Sequence, residues 1–244
     1  MTPWLDAAGR FFNPDARISV LPLVGEQCCV VIDDALAQPE GLREWAAQQR
    51  FVPPRAYPYP GLVLDAPDDV PQRLADAFAL HARKRLGARR TLDVTVRLSM
   101  VTVPPVELEP RQWQCHRDRV ADDPRAMLFA ASVLYLFDNP ALGGTSFYVP
   151  RQSAAKTDQM LADSQRLSTA DFSARHAVQR GYMAASNDYF ERVAQVPAAW
   201  NRVIFYDGGL FHSGDVEHAD ALSADPLRGR LTLNGFFTCK RNAT

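Results

Sequence analysis

Gln112-Trp113-Gln114-Cys115-His116-Arg117-Asp118-Arg119 is the stretch from which the rest of this chain can be read. Its composition predicts a strand over residues 112–119, and in a strand successive side chains point to opposite faces. His116 and Asp118 then project together, while Arg117 and Cys115 face the other way, Cys115 as a small buried hydrophobe. An imidazole and a carboxylate on one side are two of the three donors of a two-histidine, one-carboxylate set. Such a facial set holds Fe(II) and leaves its opposite side open. The remaining donor is His212, in Tyr206-Asp207-Gly208-Gly209-Leu210-Phe211-His212-Ser213-Gly214, where a β-rich run and a glycine turn present it. A lone H-x-D match arises by chance in a chain with five histidines, so the surroundings must carry the reading.

Working outward, strand-like runs rich in β-branched and aromatic residues occupy 92–103, 127–137, 145–149, 200–206 and 230–238. Upstream, residues 28–34 read as a short buried strand, and 39–46 as a helix with proline in its first turn. Residues 50–71 are proline-rich and read as a surface loop. A second helix is predicted over 72–86, ending near Gly87, with Leu74, Ala77, Phe78 and His81 on one face; His81 reads as a packed helix residue. Between 152 and 195 the pattern turns helical, with Ser168-Thr169-Ala170-Asp171 as a capping box. That segment interrupts the β region just before the strand leading to His212, the position of a lid.

In the last strand, Arg230, Thr232, Asn234 and Phe236 share one face, and Leu231, Leu233 and Phe237 the other. One face is polar where a core should be apolar. Buried polar groups need partners, and a bound dicarboxylate would supply them.

Composition sets the outer bounds. The chain has 244 residues, 47% hydrophobic and 23% charged, with a formal net charge of -1, which suits one globular domain over 1–244. So small a net charge generates no field to attract nucleic acid or an anionic membrane. The basic run Arg83-Lys84-Arg85 with Arg89-Arg90 reads as cations complementing a helix C-terminus rather than as a phosphate-binding patch. The four cysteines, Cys28, Cys29, Cys115 and Cys239, include no CxxC pair, so reduced thiols are expected. The first residues lack a basic stretch followed by an apolar one, and no run approaches the roughly 18 apolar residues of a spanning helix. A cytoplasmic setting follows, one that keeps iron ferrous. The oligomeric state stays open.

Taken together, these residues resemble the 2-oxoglutarate/Fe(II)-dependent dioxygenases, within them the prolyl-hydroxylase-like branch, and bacterial members of it most. The resemblance rests on His116-x-Asp118, the later His212, and Arg230 opening a strand of the form Arg-x-Thr-Leu with aromatics at its end. Between the ligand groups lie a strand with a tyrosine, Ser132-Val133-Leu134-Tyr135-Leu136-Phe137, and a Gly143-Gly144 turn into Thr145-Ser146-Phe147-Tyr148. It covers about 90–240; residues 28–47 match the usual entry, and the 152–195 insertion is longer than in compact hydroxylases.

The resemblance implies a mainly β fold, a double-stranded β-helix or jelly roll, with N-terminal helices packed on one sheet. It implies Fe(II) held by His116, Asp118 and His212, with 2-oxoglutarate and O2 consumed, succinate and CO2 released, and a peptide side chain or small metabolite hydroxylated. Carried over by position, Arg230 would grip the distal carboxylate of 2-oxoglutarate through its planar fork, Tyr135 would hydrogen-bond it, and Thr232 would lie beside it. Arg228 is the rival for the arginine role. Asp118 argues against the family's halogenases, which replace that carboxylate with a small residue. Phe236 stands where the nucleic-acid demethylases carry a second arginine. A cupin-like dioxygenase needing no cosubstrate and a non-catalytic ligand-binding module on the same fold are the alternatives.

The remaining candidates have plainer readings. His176 and His218 read as solvent-facing, and Tyr148, Trp200 and Phe205 as core. Tyr182, Tyr189 and Phe190 either line a pocket or pack the insertion.

Overall fold

The computed structural model describes residues 2–55 and 58–241. Ten strands form two antiparallel sheets. The larger runs in the order β1 (Arg17–Pro22), β2 (Cys28–Asp33), β8 (Val203–Asp207), β5 (Met127–Tyr135), β10 (Arg230–Arg241), β4 (Ala88–Val101) and β3 (Gly61–Asp65). The smaller comprises β7 (Phe190–Val196), β6 (Thr145–Pro150) and β9 (Phe211–Gly214), in that order. Each sheet alternates its side chains, so each strand serves two environments.

On the larger sheet, Leu231, Leu233, Phe237 and Cys239 of β10 face one way and join a core with helix α1 (Pro39–Ala47) and helix α2 (Val70–His81). There Phe78 stacks on Phe237 with ring centroids 4.2 Å apart. The other face carries Tyr135, Ala131, Ile204 and Tyr206, packed against Phe147 and Val196 of the smaller sheet. Tyr206 meets Phe147 edge-on. The expected mainly β architecture, with helices on one sheet, is what the chain adopts.

Beyond the smaller sheet lies a further core, in which Tyr148, Phe190 and Phe211 pack with helix α3 (Ala154–Ser164), helix α4 (Thr169–His176) and the segment containing Trp113 and Cys115. Trp113 meets Phe172 of α4 edge-on at 5.7 Å. As expected from its capping box, α4 starts at Ser168, whose hydroxyl accepts the Asp171 N–H.

Four expectations need correction. Residues 112–119 do not form a strand: a 3-10 turn over Pro110–Gln112 leads into an extended connection that touches β9 at one bridge, His116 to His212. A strand needs a partner edge, and β9 is four residues long. The loop expected over 50–71 contains β3, whose Leu62, Val63 and Leu64 pair with β4; the prolines around it masked a short edge strand, and residues 56 and 57 lie outside the described residues. The second helix is α2, beginning at Val70 with Pro71 in its first turn and ending at His81. The chain then turns back, with the Arg83 N–H donating to Phe78 O. Arg85 caps that end by donating to the His81 carbonyl at 2.8 Å, the dipole role expected of the basic run. Finally, the 152–195 segment is helical only through His176; its end is β7, the outer strand of the smaller sheet.

The four cysteines are free thiols, and no helix among the described residues is long and apolar enough to cross a membrane.

Candidate metal centre

Although no strand carries them, His116, Asp118 and His212 converge: one ligand atom from each lies within 4.8 Å of the other two. Two backbone hydrogen bonds across the bridge, His116 N to His212 O and the reverse, both 2.9 Å, fix the histidines against each other. Their ring centroids are 4.5 Å apart. Asp118 is placed by its own N–H, which donates to the Gly208 carbonyl at 2.9 Å. Asp118 Oδ1 lies 3.6 Å from His116 Nε2, and Oδ2 lies 3.5 Å from His212 Nε2.

The donor set fits a first-row divalent ion. His212 Nδ1 lies 2.9 Å from the Leu210 carbonyl, which requires an N–H at Nδ1 and leaves Nε2 as the lone-pair donor. Bonds of roughly 2.1 Å put neighbouring ligand atoms roughly 3 Å apart, about half an ångström closer than either histidine stands to its Asp118 oxygen. Burial lowers the His212 imidazole to about 4, against the pull of Asp118, so it is neutral as a ligand must be. Burial acts to raise the Asp118 carboxyl, but the imidazoles of His212 and His116 and the Arg97 guanidinium outweigh it and hold it below the usual carboxylate value. Gly208 makes the approach possible. A Cβ there would lie 2.9 Å from the Phe129 carbonyl and 3.1 Å from Asp118 Oδ2.

Along β9, His212 and Gly214 share a face, and Gly214 is where Arg230 comes in: a Cβ at Gly214 would lie 3.2 Å from Arg230 Nη2. Arg230 is 5% exposed. Its Nε donates to the Leu142 carbonyl at 2.9 Å and Nη2 to the Gly144 carbonyl at 2.8 Å, so the Gly143-Gly144 turn clamps one edge of the guanidinium. Nη1 makes no hydrogen bond among the described residues. Arg228 is exposed in the turn before β10, so Arg230 is the arginine on the interior face.

Tyr135 is fully buried in the same interior, and its hydroxyl donates to Thr145 Oγ1 at 2.8 Å. Thr232 stands between Tyr135 and Ser99 in the sheet register, with its hydroxyl donating to the Ser99 carbonyl at 3.3 Å. It faces inward but does not line the cleft that contains His116, Asp118 and Arg230. Ser99 Oγ and Asn234 Oδ1 on this polar face are buried without a hydrogen-bond partner among the described residues. The cleft has a volume of about 940 Å³.

His176 was expected to be solvent-facing and is instead buried, between the Tyr189 hydroxyl at 2.7 Å and Asp163 Oδ2 at 3.0 Å. Its partners come from separate elements, which a periodicity reading cannot bring together. His218 is exposed, as expected. Tyr148 and Phe205 are core, while Trp200 is half-buried under Arg43. Of the three insertion aromatics, Tyr189 and Phe190 pack, and Tyr182 lines the cleft.

Sequence reading missed the supports. Asn187 donates to Gln114 Oε1 at 3.0 Å, and the Cys115 N–H points at Met183 Sδ. The insertion thus buttresses the segment that delivers His116, rather than acting only as a cover. Nothing in the spacing of Met183 or Asn187 signals this.

One sequence family has a model that matches residues 14–237, DUF6445, described as a family of unknown function. No curated protein matches. Among solved structures, a prolyl-4-hydroxylase from Pseudomonas putida aligns over 84% of this chain and 88% of its own, at 20% identity and a TM-score of 0.40. HygX from Streptomyces hygroscopicus, solved with nickel, 2-oxoglutarate and hygromycin B, aligns over 86% and 82%, at 14% identity and a TM-score of 0.44. An N-substituted L-amino acid dioxygenase from Burkholderia ambifaria aligns over 88% and 86%, at 13% identity and a TM-score of 0.33.

Proposed function

We propose that this chain, which belongs to the DUF6445 family, is an Fe(II)- and 2-oxoglutarate-dependent oxygenase, its two sheets forming a double-stranded β-helix. The observation that carries the reading is the pairing of two features on one face of β9. His212 belongs to the ligand set, and two residues further Gly214 meets the buried Arg230. Two residues of strand span roughly 7 Å, while the end carbons of a five-carbon dicarboxylate lie about 5 Å apart. A molecule of that length suits the gap between the ligand set and Arg230, which border the same cleft.

In this reading His116, Asp118 and His212 hold Fe(II). Arg230 binds the distal carboxylate of 2-oxoglutarate, and the Tyr135 hydroxyl, which donates to Thr145 Oγ1, would turn to that carboxylate once it is in place. Fe(II) and the cosubstrate together supply oxidative decarboxylation coupled to insertion of one oxygen atom of O2 into a C–H bond, with release of succinate and CO2. The protein's part is positional. The Leu142 and Gly144 carbonyls aim Arg230, and the Leu210 carbonyl fixes the tautomer of His212. Burial of Tyr135, Tyr206 and Phe147 keeps water from the interior end of the cosubstrate.

The test is stoichiometry. Fe(II)-reconstituted protein should consume 2-oxoglutarate and O2 and release succinate in equal amounts, slowly even without a second substrate, and His212→Ala should abolish it. Oxygen uptake that does not require 2-oxoglutarate would favour a cosubstrate-free dioxygenase instead.

A further inference from the structure

The cleft beside His116 and Asp118 holds more guanidinium groups than a cosubstrate needs. Arg97 of β4 and Arg119, next in sequence to the carboxylate ligand, both line it. Each lies over a phenyl ring, Arg97 over Phe236 at 4.4 Å and Arg119 over Phe129 at 4.1 Å. A guanidinium stacked on an aromatic face is held in place while its N–H donors point outward around the rim of its plane.

Sheet register places the two stacks side by side. Phe236 stands opposite Ala131, and Thr238 opposite Phe129, so the rings are diagonal neighbours on one face, roughly 7–8 Å apart. Planar cations stacked on neighbouring rings suit one oxyanion or a short diacid. Thr95 and Thr238 add hydroxyls to the same wall, and among the described residues Asp93 is the one cleft-lining carboxylate besides Asp118. Among the described residues, no ion pair around the cleft involves Arg119, while Arg111 is held by Glu109.

Arg230 cannot share that ligand. Six residues of β10 separate it from Phe236, roughly 20 Å of strand. Gly214, on one side of His212, meets Arg230, while Gly208, on the other, meets Asp118 and the Phe129 carbonyl.

We infer that the substrate oxidised here is a small anionic metabolite, held through a carboxylate or phosphate group by Arg97 and Arg119 on the far side of the metal ligands from Arg230. The inference rests on the oxygenase reading above. The cleft volume of about 940 Å³ falls within the range of small-molecule sites, roughly 300–1,000 Å³, with room for a metabolite beside the cosubstrate.

Calorimetry on the full chain tests it, with Zn(II) in place of Fe(II) so that nothing turns over. The probes are 2-oxoglutarate first, then N-acetyl-L-aspartate against its diamide, glycerol 3-phosphate against glycerol, and an acidic heptapeptide. At least one small anion should bind tenfold or more tighter than its neutral partner, and the better of the two identifies carboxylate or phosphate. Arg119→Gln, at an exposed position, should weaken that anion roughly tenfold, a loss of about 1.4 kcal/mol, and leave 2-oxoglutarate unchanged. Arg97→Lys keeps the charge and should recover part of the affinity that Arg97→Gln loses. Equal binding of anions and neutral partners, wild-type affinity in Arg119→Gln, or binding of the heptapeptide alone would overturn the inference. Failure of the oxygenase reading looks different: 2-oxoglutarate itself would not bind.

Discussion

Because burial lowers the His212 imidazole to about 4, the folded, metal-free chain refuses a proton that the unfolded chain accepts near 6.5. The contribution of this group should therefore be flat above pH 6.5 and lower stability as pH drops toward 4, by up to on the order of 3 kcal/mol. Urea unfolding of metal-free protein at pH 7 and pH 4.5 measures the difference, which His212→Gln should diminish. Asp118 contributes in the opposite range: its lowered carboxyl favours the fold at neutral pH and loses that contribution below about 3.8. Gly208 is the most exacting position beside the ligands. Gly208→Ala puts a methyl 3.1 Å from Asp118 Oδ2, and displacing the carboxylate should weaken Fe(II) or Zn(II) binding roughly 10–100-fold, read by competition with a metal-sensitive dye. Wild-type affinity would show that Asp118 tolerates displacement. That His116, Asp118 and His212 come together was legible from their identity and order. The glycine that admits Asp118 lay in plain view as a turn signal, but its meaning depends on a backbone carbonyl 79 residues away, Phe129.

Strand β10 was the most legible element, because its polar and apolar faces differ so sharply in residue type that alternation alone separates the helix-facing Leu231 and Leu233 from the inward Arg230. The stretch over 112–119 failed for the complementary reason. Its residues have strand-like character, but hydrogen bonding is decided by an available edge, and β9 offers it one bridge. His116 and Asp118 still project together, held by two separate backbone contacts, at His212 and Gly208, rather than by a ladder. The insertion was read as one helical cover, yet β7 completes the smaller sheet and α3 and α4 are tied to it through Asp163, His176 and Tyr189. Tyr189→Phe removes the partner of His176 Nδ1 in a buried site and should cost about 1–3 kcal/mol. Denaturant unfolding with unchanged slope checks it; an undiminished midpoint would mean the hydroxyl adds nothing to the packing of Phe172 and Tyr189.

The molecule as a whole divides its labour between layers. The helix-covered face of the large sheet supplies an apolar foundation, the interior between the sheets supplies Tyr135, Arg230 and the ligand set, and the insertion steadies the segment that brings His116 to the mouth. The mainly β architecture was legible because strand-like runs dominate the chain from residue 92 onward. The surroundings of Arg97, Arg119 and Gly214 were not, since they come from register and packing between elements far apart in sequence. Everything central to the account joins at one point, the link between the ligand set and Arg230. Anaerobic titration of Fe(II)-loaded protein with 2-oxoglutarate examines that link directly through the weak visible metal-to-ligand charge-transfer absorption. The account predicts a saturable band in wild type, absent in His212→Ala and shifted to much higher cosubstrate concentration in Arg230→Met. No band in wild type with Fe(II) bound, or an Arg230→Met titration that overlays wild type, would contradict it.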